Sequence, residues 1–180
     1  MARSAQQAQN RDARLKRLAE NIDALAHKDE RLIRRAREIA EFRQAAATEI
    51  YSICAGFVKE INSLLSDPVM ELVPPEFPPE AFEDDSPNLM QINVRGRILQ
   101  VAFSSTAEMV STEDFRVPYI LSGTIHAFNQ ELLDKDIIEE QLIFYTLEHS
   151  KKMWRFFDAR TYRSGPFDQE YLVSLMEQLL

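Results

Sequence analysis

The sequence predicts an α+β protein: a long N-terminal bundle or coiled-coil helix, then an antiparallel β-meander sheet covered by helices, one of them C-terminal. Three observations carry this expectation. An apolar repeat of helical period begins at Leu15 and runs for nearly seven heptads without a proline. Residues 67 to 88 then hold six prolines, and beyond Asn88 the apolar period becomes that of a strand.

With Leu15 as position a, the a and d sites include Leu15, Leu18, Ile22, Leu25, Leu32, Ile39, Ile50, Ile53, Phe57 and Leu64, interrupted by the polar Asp29, Arg43 and Glu60. Every e site is small or apolar: Ala19, Ala26, Ile33, Ala40, Ala47, Cys54 and Ile61. A two-stranded coiled coil needs only a and d, so an a/d/e stripe is the broad face of a helix with more than one neighbour. A helix from Ala5 to Ser66 would be ~90 Å long, longer than a domain built from the remaining residues. No second long helix follows it in the sequence. The stripe therefore calls for another copy, as a dimer or tetramer, or for a helical protein partner, with Leu15, Leu18, Ile22, Leu25, Leu32, Ile33 and Ile39 as the interface. Within His27-Lys28-Asp29-Glu30, Asp29 could cap a second helix and turn the stalk into an αα-hairpin; the absence of Gly and Pro there favours one helix. A parallel pair would set Asp29 on Asp29 and Arg43 on Arg43. The expected pairing is antiparallel, with Asp29 over Ala46 and Arg43 over Leu32, which makes opposite charges neighbours.

Asp67-Pro68 ends the helix, because proline excludes its predecessor from the α region. The segment from Asp67 to Asn88 has seven acidic residues and no basic one, yet carries Val69, Met70, Leu72, Val73, Phe77 and Phe82. It is expected as an extended acidic stretch laid on the sheet domain, the prolines lowering the entropy lost on docking. Period-two segments follow at Leu89 to Val94, Arg97 to Phe103, Tyr119 to Gln130, Ile137 to Leu147 and Met153 to Asp158. Turns are expected at Gly96, at Leu133 to Asp136 and at Glu148 to Lys151, giving consecutive antiparallel strands. Apolar residues occur in both registers of these strands, so both sheet faces need cover, which the Ile50 to Leu65 part of the long helix and a terminal helix beginning at Ser164-Gly165-Pro166 are available to supply. The division is thus 1–66 for oligomerisation, 67–88 as linker and 89–180 as sheet domain.

A formal net charge of -8 hides an asymmetry: residues 1–43 carry eleven Lys/Arg against seven Asp/Glu, and the rest ten against 22. The basic residues Arg31, Arg34, Arg35 and Arg37 are interleaved with Glu30, Glu38 and Glu41, as on a solvated helix face, which makes nucleic-acid binding by the arm a minor expectation. One cysteine excludes an internal disulfide framework. The N-terminal residues have no apolar signal region and no stretch approaches a membrane span, so a cytoplasmic protein is expected.

Chemistry is sparse. His27, His126 and His149 lack the short spacings of metal sites, and Cys54 on an apolar site is an inert core thiol. Adjacent Glu139 and Glu140 on a strand point to opposite faces. Phosphate-cradling and nucleophile-elbow motifs are absent from the four-glycine sequence. No catalytic, metal or cofactor site is expected. One cluster stands out: Lys151, Lys152, Arg155, Arg160 and Arg163 interleave with Trp154, Phe156, Phe157 and Tyr162. It is read as a patch for docking the acidic linker, with an anionic ligand as the alternative. The expected function is a non-enzymatic, self-associating interaction or scaffold protein. The alternatives are a small-molecule-binding or enzymatic domain with a pocket between sheet and helix, and nucleic-acid binding.

Overall fold

The computed structural model describes residues 2–113, 115–129, 136–148 and 151–180, without the side chains of residues 2–10, 108 and 136–139. It is an α+β structure. Helix α1 spans Ala2–Leu64 and runs unbroken through His27 to Glu30, so no αα-hairpin forms. Among the described residues seven antiparallel strands follow in the order β1-β2-β3-β4-β5-β6-β7: β1 Met70–Val73, β2 Asn88–Val94, β3 Arg97–Val110, β4 Tyr119–Asn129, β5 Asp136–Glu148, β6 Lys151–Asp158 and β7 Arg163–Pro166. A short 3-10 turn lies at Pro79–Ala81, and helix α2, Gln169–Leu179, closes the chain. The chain divides into two compact units, residues 1–40 and 41–180. Among the described residues no helix is long and apolar enough to cross a membrane.

The second unit is built around one face of the sheet. On α1, Ala46, Ala47, Ile50, Cys54, Phe57 and Val58 are buried, the spacing of a single helical stripe. Side chains alternate along β6, so Lys152, Trp154 and Phe156 share a face. Trp154 donates its indole N–H to the Ala46 carbonyl at 2.7 Å, and Phe156 stacks on Tyr171 of α2 with ring centroids 4.1 Å apart. Both helices therefore cover the same face. The opposite face is closed by Phe115, from the connection between β3 and β4, which packs with Tyr119, Phe144 and Phe157. That connection is pinned by a Thr112 N–H bond to the Phe115 carbonyl and by the Leu147 N–H bond to the Pro118 carbonyl, both 2.9 Å. Two helices on one face and an aromatic plug on the other replace the cover expected from the sequence.

The turn expected at Gly96 forms, whereas the terminal helix begins later than expected. The turn at Gly96 is a tight hairpin in which Arg95 and Gly96 both take positive φ, 50° and 86°, and the Gly96 N–H is held by Asn93 Oδ1 at 2.9 Å. Ser164 to Pro166 does not begin the terminal helix; it forms β7 on the sheet edge, where proline's missing N–H costs no ladder bond. The helix begins one turn later, where the Asp168 carboxylate accepts the Tyr171 N–H at 2.9 Å. The turns expected at Leu133 to Asp136 and Glu148 to Lys151 fall largely outside the described residues.

The proline-rich segment is ordered. Its β1 pairs with β2 after the Asn62 side chain brackets Met70, donating to its carbonyl and accepting its N–H. A cis Val73-Pro74 bond leads to Phe77, which is buried and stacks on Tyr51 of α1 at 5.6 Å. Tyr51 Oη in turn donates to the Pro74 and Pro75 carbonyls. Asp84 accepts from Arg43 at 3.1 Å and from the Ser105 hydroxyl, while Arg43 also donates to the Thr106 carbonyl.

Candidate functional site

In the first unit, among the described residues, most of those that carry the helical repeat are exposed. Leu15, Leu18, Ile22, Leu25, Leu32 and Ile33 are each between 54% and 59% exposed, while Ile39 is half-buried. Helix α2 gives the contrast: its apolar residues Tyr171, Leu172, Leu175, Met176 and Leu179 are all buried. A side chain on an isolated helix is still partly shielded by its own backbone and neighbours, so exposure slightly above half is that of a fully uncovered face. Single exposed leucines need no explanation, but six in helical register form a continuous strip. Small e residues, Ala19 and Ala26, run beside it, and Asp29 interrupts it. Basic side chains Arg14, Lys28 and Arg35 flank the d side; Lys16, Asp23, Glu30 and Arg37 flank the e side.

The repeat continues past Ala40, but its partner there is the chain's own sheet. Arg43, an a site, has a side chain only 11% exposed and is held by Asp84 and Thr106. Ala46, a d site, is fully buried beneath Trp154. The antiparallel register that seats Asp29 over Ala46 and Arg43 over Leu32 is therefore unavailable, because both positions are already occupied.

Comparison with family models, curated proteins and solved structures gives no match for this chain.

The basic-aromatic cluster is dispersed. Lys152 places its ammonium 3.2 Å from the centroid of the Phe42 ring, a cation–π contact to α1. Trp154 is core. Arg155 lies on the opposite sheet face by alternation, opposite Phe144 in the ladder. Lys151 is exposed and paired in register with Glu148. Only Arg160 and Arg163 come together. They line a cleft of about 470 Å³ between α2 and the β6–β7 hairpin, with Gln141, Thr161, Ser174 and Gln178, floored by Phe156 and Tyr171. Asp158 in that cleft is tied to its own turn by the Thr161 hydroxyl and the backbone N–H groups of Arg160 and Thr161, and these bonds, the hydroxyl first, hold its carboxyl below the usual range. Gly165 keeps the floor in place, since a Cβ there would sit 2.8 Å from the Phe156 ring. The expected docking of the acidic linker on this cluster is not what forms: β1 and β7 are opposite edges of the sheet, and Asp84 finds Arg43 instead.

Other titratable groups have structural partners. His126 Nε2 meets Glu140 Oε2 at 2.8 Å across β4 and β5, and His27 lies 3.8 Å from Glu30 on the exposed helix. His149 and the side chain of Glu139 lie outside the described residues. Burial pushes the Cys54 thiol up to about 12. Tyr145 donates to Glu49 at 3.3 Å; burial raises the Glu49 carboxyl above its ordinary range despite that bond, and burial with the nearby carboxylate pushes Tyr145 up to about 12. Among the described residues no group of three His, Cys, Asp or Glu side chains could hold a metal ion.

Proposed function

We propose that this protein is an oligomeric interaction or scaffold protein that associates with another copy of itself through the N-terminal helix. One observation carries the reading: six large apolar side chains in helical register between Leu15 and Ile33 are uncovered. Fully burying a leucine or isoleucine is worth ~1.5–3 kcal/mol, so covering one already half shielded gains ~1 kcal/mol. Two copies bringing six each gain ~12 kcal/mol, the same order as the ~4–15 kcal/mol lost on association. The net gain is then at most ~8 kcal/mol, so association no tighter than about micromolar is expected. Sedimentation equilibrium tests this: the wild-type mass rises above the 20.8 kDa of one chain as concentration increases. Leu18→Glu with Leu25→Glu returns it to one chain, since charge placed in a dried seam is costly. A wild type that stays at one chain mass at all concentrations refutes the reading.

A second reading, small-molecule binding, is favoured by the cleft between α2 and the β6–β7 hairpin, where two arginines stand above an aromatic floor. A small carboxylate or phosphate ester is the chemistry it suits. Thermal shifts with a panel of such anions, abolished by Arg163→Ala, support it; no shift with any of them removes it.

A further inference from the structure

We infer that the helix segment from Arg11 to Ala36 pairs antiparallel with the same segment of a second copy, Leu15 packing over Leu32, Ile22 over Leu25 and Leu18 over Asp29. This rests on the self-association reading and gives it a geometry. The deciding residue is Asp29, the polar a site inside the uncovered strip. A parallel, in-register pair would stack the two Asp29 carboxylates on each other in the middle of the seam, two like charges being dried together. An antiparallel pair layers a against d instead. Arg43 and Ala46 are committed to the second unit, so the pairing must be made within the free stretch. The register centred on that stretch sets Leu15, Ile22 and Asp29 against Leu32, Leu25 and Leu18 in turn. Its two ends are related by symmetry, so every layer occurs twice.

Charge complementarity follows from the same register. Lys16, on the flank beside the e sites, comes alongside Asp29 and Glu30 of the second copy, so the seam carboxylate gains a cation from across the interface on both sides. Ala19 meets Ala26, and these small residues let the helices approach closely. The register also brings Arg14 near Arg35 of the second copy, and Asp23 near Asp23. Those are rim positions, where solvent and salt keep the repulsion small.

Orientation can be read by cysteine cross-linking, because the native Cys54 is fully buried and does not compete. Leu15→Cys and Leu32→Cys chains, one carrying a mass tag, are mixed and oxidised with glutathione disulfide. The expected product is the Leu15–Leu32 mixed dimer, with little self-dimer from either chain alone. Rapid self-dimerisation of the Leu15→Cys chain would show parallel N-termini and overturn the inference. Independently, Lys16→Glu should raise the dissociation constant at least about tenfold, and adding Asp29→Lys should restore it. In a parallel pair Lys16 instead faces Arg14, so Lys16→Glu would tighten association, which also overturns the inference. A wild type that remains a single chain in sedimentation ends the self-association reading itself, an outcome distinct from either cross-linking pattern.

Discussion

Trp154→Phe should cost the second unit roughly 2–3 kcal/mol, and the terms can be worked from its surroundings. The indole is 1% exposed, donates to the Ala46 carbonyl at 2.7 Å and lies edge-on to Phe103 with centroids 5.3 Å apart. Phenylalanine removes the donor, a net loss of ~0.5–1.5 kcal/mol; the Ala46 carbonyl keeps its helical partner, so no orphaned group adds to this. It is also roughly 40 Å³ smaller, and at ~24 cal/mol per Å³ an unrelaxed void costs ~1 kcal/mol. Part of the aromatic contact with Phe103 and Tyr145 is lost as well. For a chain of this size each kcal/mol lowers the melting temperature by ~2–4 °C, so a fall of roughly 5–10 °C is expected. The assay is urea unfolding followed by circular dichroism, since the substitution removes the only tryptophan. It is run in the Leu18→Glu, Leu25→Glu background so that self-association does not shift the midpoint. A change below ~0.5 kcal/mol, the range of surface substitutions, would refute the reading of Trp154 as the bolt between helix and sheet.

Gly123→Ala should be more damaging than its size suggests. The added Cβ would lie 2.1 Å from the Ala102 carbonyl oxygen and 2.7 Å from Phe103 Cβ, so strand backbone must move; loss of soluble folded protein is expected, and a near-native melting temperature would contradict the packing. Glu49→Gln should stabilise the fold at neutral pH. Burial raises the folded carboxyl above its ordinary 4.5, so the folded state binds the proton more tightly and the wild type loses stability as pH rises through the window above 4.5. Glutamine keeps an acceptor for Tyr145 without that penalty. Melting temperatures of the two proteins should converge below pH ~4 and separate toward pH 7; a constant difference would rule out this coupling.

The long helix and the central strands were legible because their apolar periods are long and unambiguous. From the stripe the helix is expected to dock on the sheet from Ile50 onward, where large apolar residues gather; docking begins earlier, at Arg43 and Ala46, because the small Ala46 and Ala47 add no weight to the stripe and Arg43 reads as a seam charge although it holds Asp84. β1 and β7 were hidden because four-residue edge strands beside prolines carry no periodic signal. Phe115 was missed for a related reason: the residues between Val110 and Tyr119 have no period, and their packing is tertiary. The basic cluster looked coherent along the chain, yet β6 alternation sends Arg155 to one face and Lys152 and Trp154 to the other. Arg160 and Arg163 could have been grouped beforehand by their position about the turn held by Asp158.

The most direct test of the central claim is amide hydrogen exchange of the full wild-type chain at several concentrations spanning its association range. If the strip from Leu15 to Ile33 is covered by a second copy, exchange across residues 11–36 slows as concentration rises while the sheet is unaffected. Exchange in that segment that is fast and independent of concentration would contradict it.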